Sequence, residues 1–190
     1  MFQEAVARLR QVHVRQQPEI EAIINARDEV IAHYQPMFSL DKIPTLTADD
    51  FQSFLLFKNN KHWTGLHRQG PRICQDMGSL QSILRTLHNK PTPIEARWET
   101  AIQGVRGLGK ATLSAVLHIM FPEEYGVWNR TSEASLKEMN IWPNVEGDLR
   151  GGPLYRRINE LLLALAKDLD VDLWTPPKDG DPNENAPIQQ

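Results

Sequence analysis

Two runs of helically spaced apolar residues meet at Val105-Arg106-Gly107-Leu108-Gly109-Lys110-Ala111-Thr112, and the Gly-x-Gly at the centre marks a tight reversal between them. Glycine reaches positive φ without steric cost and lets backbones approach closely, so such a turn can join two helices with no long connection. The helix that follows begins with unpaired amides and the positive end of its dipole, an arrangement suited to a phosphate or other anion. A chain built around this turn is expected to pack helix on helix.

The remaining segments agree. Residues 2–16 carry Val6, Leu9 and Val12 at helical spacing, and residues 19–34 carry Ile20, Ile23, Ile24 and Ile31, with Pro18 at the junction. Thr47-Ala-Asp-Asp50 resembles a helix start with acids in the first turn and leads into Phe51, Phe54, Leu55 and Phe57. Residues 79–88 and 93–105 each show one apolar face, an apolar helix runs from Thr112 to near Pro122, another starts near Asn129, and residues 154–169 form a last long one. No run alternates as a strand would, and no internal repeat is present. The expected fold is all-α, with one domain over residues 1–174. The Pro-, Asp-, Asn- and Gly-rich residues 175–190 are expected to be a disordered tail.

At 190 residues and 41% hydrophobic content the chain can bury a sizeable core. Its single cysteine, Cys74, cannot staple the fold and excludes a four-cysteine iron–sulfur cluster. The six histidines show no ligand spacing with a carboxylate partner, so no metal site is expected. The first residues, Met-Phe-Gln-Glu-Ala, are charged and amphipathic, and no apolar run reaches the roughly 20 residues of a membrane span. A cytoplasmic, soluble monomer is expected. The net charge of −3 hides an asymmetry: residues 58–130 carry ten Lys or Arg against five acids, whereas residues 160–190 carry two against seven. Basic charge therefore gathers around the turn, as suits a local contact with nucleic acid.

Beyond Thr112 the chain reads Leu-Ser-Ala-Val-Leu-His-Ile-Met-Phe, then Pro122, then Glu-Glu-Tyr-Gly-Val-Trp128-Asn129-Arg130. A Gly-x-Gly turn, an apolar helix and a short loop ending in an apolar and then a polar residue resemble the helix-hairpin-helix DNA glycosylase superfamily, most closely over residues 94–140. The resemblance implies a two-lobed helical bundle on double-stranded DNA. A damaged or modified base would flip into the cleft between lobes, and water would hydrolyse its N-glycosidic bond to leave an abasic site, with no redox cofactor or catalytic metal. It also leaves room for a monovalent cation bridging hairpin carbonyls and a phosphate. Arg106, Gly107, Gly109, Lys110, Thr112 and Arg130 are the implied phosphate contacts around the hairpin.

Two departures bear on chemistry. The family's catalytic aspartate stands 20 residues after the second hairpin glycine, and that position is Asn129. Asn cannot ionise, although it can orient a water or aim its carbonyl dipole at the sugar. Glu133, one turn on, is the candidate replacement carboxylate. Asn is also a favoured helix N-cap, so a purely structural role for Asn129 stands beside the catalytic one. The lysine of strand-cleaving members belongs two residues after that glycine, where this chain has Ala111. Lys110 is one position early, turned about 100° around the helix, so no lyase activity is expected.

Phe57-Lys58-Asn59-Asn60-Lys61-His62-Trp63-Thr64-Gly65-Leu66-His67-Arg68 gathers amides, imidazoles, cations and an aromatic ring. Asn59, Asn60, His62 and Trp63, with Trp128 at the border, are candidates for a pocket that stacks and reads an extruded base, and Lys61 and Arg68 for flanking phosphates. The plainer alternative makes Trp63 a core anchor and Asn60 a helix cap. For the whole chain, the alternatives to a monofunctional glycosylase are a non-catalytic DNA-binding module of a repair or restriction system and a helical protein-interaction domain.

Overall fold

A computed structural model describes residues 1–143 and 149–169, apart from the side chains of residues 13 and 14. The expected tail at 175–190 lies outside the described residues. Within them the secondary structure is helical, with no strand. The helices are α1 (Phe2–Arg15), α2 (Gln17–Tyr34), α3 (Ala48–Leu55), α4 (Phe57–Asn60), α5 (Gly70–Ile73), α6 (Met77–Leu87), α7 (Ile94–Gly104), α8 (Lys110–Met120), α9 (Arg130–Glu138) and α10 (Gly151–Asp168), with 3₁₀ turns at Pro36–Phe38, Ile43–Thr45 and Leu66–Gln69. No described helix is long and apolar enough to cross a membrane.

Local chemistry sets the boundaries. Thr47 starts α3 through a reciprocal capping box: its Oγ1 accepts from Asp50 N at 3.2 Å, and Asp50 Oδ2 accepts from Thr47 N at 3.0 Å. The Thr47 hydroxyl, which donates to Asp50 Oδ2 at 2.6 Å, and then the Thr47 N–H hold the Asp50 carboxyl below its usual pKa. Asp76 caps α6 by accepting from Ser79 N at 3.0 Å, and the helix begins at Met77, two residues before the expected start. The third helix stops at Leu55, short of Phe57, because Leu56 is extended (φ −74°, ψ 128°) and the chain restarts as the short α4.

The buried residues form one continuous core from Ala5 to Leu165. Every residue of α8 from Thr112 to Met120 is buried, which makes this helix the axis of the packing. Tyr34, Phe38, Phe51 and Phe54 meet edge to face on one side of the core. Trp98 stacks on Tyr155 at 4.1 Å between ring centres and on Trp128 at 5.9 Å on another. Complete burial of a Leu or Phe side chain contributes about 1.5–3 kcal/mol relative to exposure, so such clusters dominate the stability of the fold.

Helices α7 and α10 pack closely enough that a Cβ on Gly152 would stand 2.5 Å from the Glu95 carbonyl oxygen. Glu99 of α7 also accepts from Gly152 N at 2.7 Å, supplying from a neighbouring helix the cap that α10 lacks in its own sequence. Arg97, 3% exposed, is held by three oxygens: Leu87 O at 2.6 Å, Thr92 O at 2.9 Å and Tyr125 Oη at 2.8 Å. A buried guanidinium so surrounded ties α7 to the end of α6 and to the loop after α8.

Candidate nucleic-acid interface

Helix α7 ends at Gly104, Val105 is extended, and the chain reverses over five residues into α8. Val105 and Leu108 are buried and anchor the turn. Gly107 has φ +89°, a conformation that penalises any side chain, and its backbone lies against the preceding segment. A Cβ there would stand 3.1 Å from Arg72 Cβ and 3.3 Å from Gln69 Oε1. Gly109 is the N-cap of α8, and a Cβ placed on it meets nothing within 4 Å. The start of α8 therefore faces open space. The Val105 and Gly107 carbonyl oxygens each accept a backbone N–H, from Leu108 at 3.2 Å and Gly109 at 3.0 Å, leaving each its second lone pair for a monovalent cation.

One turn into α8, Ser114 Oγ joins the two candidate elements. It donates to Lys110 O at 2.7 Å and accepts from Trp128 N at 2.9 Å, fixing the residue before Asn129 against α8. Asn129 then caps α9 through a capping box: its Oδ1 accepts from Ser132 N at 2.9 Å, and Ser132 Oγ accepts from Asn129 N at 3.0 Å. Its Nδ2 makes no protein hydrogen bond among the described residues. Trp128 is buried in the aromatic stack at 6% exposure, and its ring is no wall of an open pocket.

Glu133 is surrounded by donors. Lys110 Nζ reaches Oε2 at 2.7 Å, Lys137 Nζ reaches Oε1 at 2.6 Å and Trp128 Nε1 reaches Oε2 at 3.3 Å. Lys110 also lies over the Trp128 ring at 4.4 Å. The hydrogen bonds from Lys110 and Lys137 bring the Glu133 carboxyl down to about 2, so it stays ionised throughout the neutral range. A carboxylate so stabilised is a weak proton acceptor, and its charge is already balanced by two ammonium groups.

The residues expected to read a base take structural positions. Asn60 is wholly buried: its Nδ2 donates to Phe54 O at 3.1 Å, and its Oδ1 accepts from His62 N at 3.1 Å and Trp63 N at 2.8 Å. Asn59 Nδ2 donates to Ser53 O and Ser53 Oγ, both at 2.9 Å. Trp63 meets Phe54 and His118 edge to face, as a partly buried anchor of the core. His62 is half-buried, its Nε2 has no hydrogen-bond partner among the described residues, and desolvation pushes its pKa down. His118 Nδ1 donates to Tyr125 O at 2.8 Å, and burial lowers its pKa to about 4. Asn59 and Asn60 thus close the turns around α4 and leave their amides little freedom to bind a base.

The expected phosphate contacts divide sharply. Thr112 is 4% exposed beneath the turn, Lys61 is paired with Glu29, and Lys110 is paired with Glu133. Arg68, Arg106 and Arg130 are exposed and form no ion pair or side-chain hydrogen bond among the described residues. Arg72 shares this condition, with the root of its side chain against Gly107. Sequence reasoning passed over Arg72 because it lies 35 residues before Gly107 and in no motif. No group of three metal-ligating side chains occurs among the described residues. Comparison with family models, curated proteins and solved structures finds no match to this chain.

Proposed function

We propose that this protein binds double-stranded DNA through the turn at residues 105–109, as a helix-hairpin-helix DNA-binding module of a repair or restriction system. The observation that carries the reading is the open start of α8 at Gly109 with Arg106 and Arg130, two exposed arginines that hold no carboxylate, on the flanking segments. Phosphate suits all three features: backbone N–H groups, a helix dipole and guanidinium forks. Such contacts position a duplex and carry no sequence information, so the expected binding is salt-sensitive and nearly independent of sequence.

The second reading is a monofunctional glycosylase, favoured by Asn129. It stands 20 residues after Gly109, is half-buried at the start of α9, and keeps Nδ2 free of protein partners among the described residues. In this reading Asn129 would lie under the sugar of an extruded nucleotide in a cleft between lobes. The module ranks first because the Asn129 carbonyl oxygen is engaged by Ser132, and Glu133 is neutralised by two lysines. Neither group then offers the uncompensated negative charge that a developing sugar cation requires.

Release of free base, measured by mass spectrometry from duplexes carrying alkylated, oxidised, deaminated or hypermodified bases, separates the two readings. The module predicts salt-sensitive binding with no release from any substrate. Release that disappears in Asn129→Ala would overturn it in favour of the glycosylase. Absence of salt-sensitive binding would leave the protein-interaction domain.

A further inference from the structure

We infer that Arg68 and Arg72 form a second phosphate-binding flank, so that the DNA backbone is held across Gly107 between this pair and Arg106. The inference rests on the DNA reading above and extends it to residues outside the hairpin. Arg68 lies in the 3₁₀ turn Leu66–Gln69 and Arg72 in α5, which follows it directly, so both exposed arginines sit on one short segment. Gly65, at φ +79°, turns the chain into this segment, and Arg68 Nε and Cζ lie 3.9 Å from where its Cβ would be. Close contact of Arg72 and Gln69 with Gly107 brings the segment directly against the hairpin turn.

Several cations of the chain are paired with a carboxylate and others, such as Lys58, Arg85 and Lys167, are not among the described residues so paired, so what sets this patch apart is its place against the hairpin turn. Arg8, Lys61, Lys90, Lys110, Lys137 and Arg156 each hold a carboxylate. Arg68, Arg72 and Arg106 hold none among the described residues, although Asp and Glu outnumber Lys and Arg in the whole chain, 24 to 21. Two exposed guanidinium groups on one short segment leave their donor forks to solvent, and backbone phosphates fill such forks. A single free anion would satisfy one flank only. Two flanks meeting at Gly107 fit a polyanion with phosphates at successive positions, which is a nucleic-acid backbone.

The test is fluorescence anisotropy with a labelled duplex of about two helical turns, roughly 20 base pairs, titrated over a range of salt concentrations. Neutralising the pair in R68Q/R72Q is expected to weaken binding about tenfold or more and to reduce the slope of log K against log salt by roughly 1.8, as two lost phosphate contacts require. The charge-retaining R68K/R72K is expected to keep most of the slope and serves as a second variant if the first fails to fold. Binding by the wild type that is weakened in Arg106→Ala but unchanged in R68Q/R72Q, in affinity and in slope, overturns the second flank and leaves the hairpin reading intact. Absence of salt-dependent binding by the wild type overturns both.

Discussion

Residues 57–63 and residues 105–109 look alike as sequence, each a short stretch with turn formers and cations next to an apolar helix, yet the fold uses them in opposite ways. In the first, Asn59 and Asn60 bond backbone atoms of their own neighbourhood, Trp63 packs on Phe54, and Lys61 is tied to Glu29. In the second, Gly109 faces open space and Arg106 is uncommitted among the described residues. Amides and indoles bury readily once their hydrogen bonds are met, and therefore drift into structural roles. An exposed arginine with no protein partner, unlike Arg97 with its three buried oxygens, stays available to a ligand.

Asn60→Ala tests the structural side of that contrast and is expected to have the largest effect. It leaves Phe54 O, His62 N and Trp63 N without their side-chain partner in a buried setting, at a cost of about 3 kcal/mol in chemical denaturation. The folded variant is expected to bind DNA as the wild type does. A selective loss of DNA affinity with little loss of stability would return Asn60 to the binding site.

Gly107→Ala acts on both sides at once. The left-handed conformation costs a non-glycine residue about 1–2 kcal/mol, and the new Cβ must displace Arg72 from 3.1 Å. Stability and DNA affinity are both expected to fall. Gly109→Ala meets no neighbour and has an ordinary φ of −89°, so it is expected to cost only about 0.5–1 kcal/mol as a poorer N-cap, beyond its effect on DNA. Equal destabilisation by the two substitutions would show that the turn is not held as described.

The junction of α8 and α9 adds a pH dependence. Glu133 has its pKa lowered in the fold, from 4.5 to about 2, so the unfolded chain takes up the proton first as the solution is acidified. Its stabilising contribution is complete above about pH 4.5 and is lost as pH falls toward 2. Thermal unfolding of Glu133→Gln and wild type should therefore converge across that window. A constant difference from pH 7 to pH 2 would remove the Lys110–Glu133–Lys137 network as its origin.

How far this molecule was legible beforehand depends on which interactions were local. The all-α class, the turn into α8 and the caps at Thr47 and Asn129 rest on contacts between residues a few positions apart, where spacing and residue type carry the information. Sequence spacing puts the start of α10 three residues late because its cap comes from Glu99, 53 residues earlier. Trp128 looked like a pocket wall because sequence shows its neighbour Asn129 but not Trp98 and Tyr155, which stack behind it. Arg72 was invisible for the same reason: its contact with Gly107 joins two segments by packing alone.

Asn129→Asp gives the smallest expected change in stability and the sharpest reading of the chemistry. An aspartate can accept from Ser132 N as the asparagine does, and its charge at the start of α9 interacts favourably with the helix dipole, so stability should rise by about 0.3–1 kcal/mol or stay level. DNA affinity should fall slightly, because a new negative charge stands next to Arg130. If the surrounding geometry were that of a glycosylase lacking only its carboxylate, this one substitution would supply the missing field, and free base would appear from a modified duplex. A DNA-binding module predicts an intact, marginally more stable protein that releases no base. Base release by the variant but not by the wild type would mean that the site is built for excision and is held inactive by a single amide.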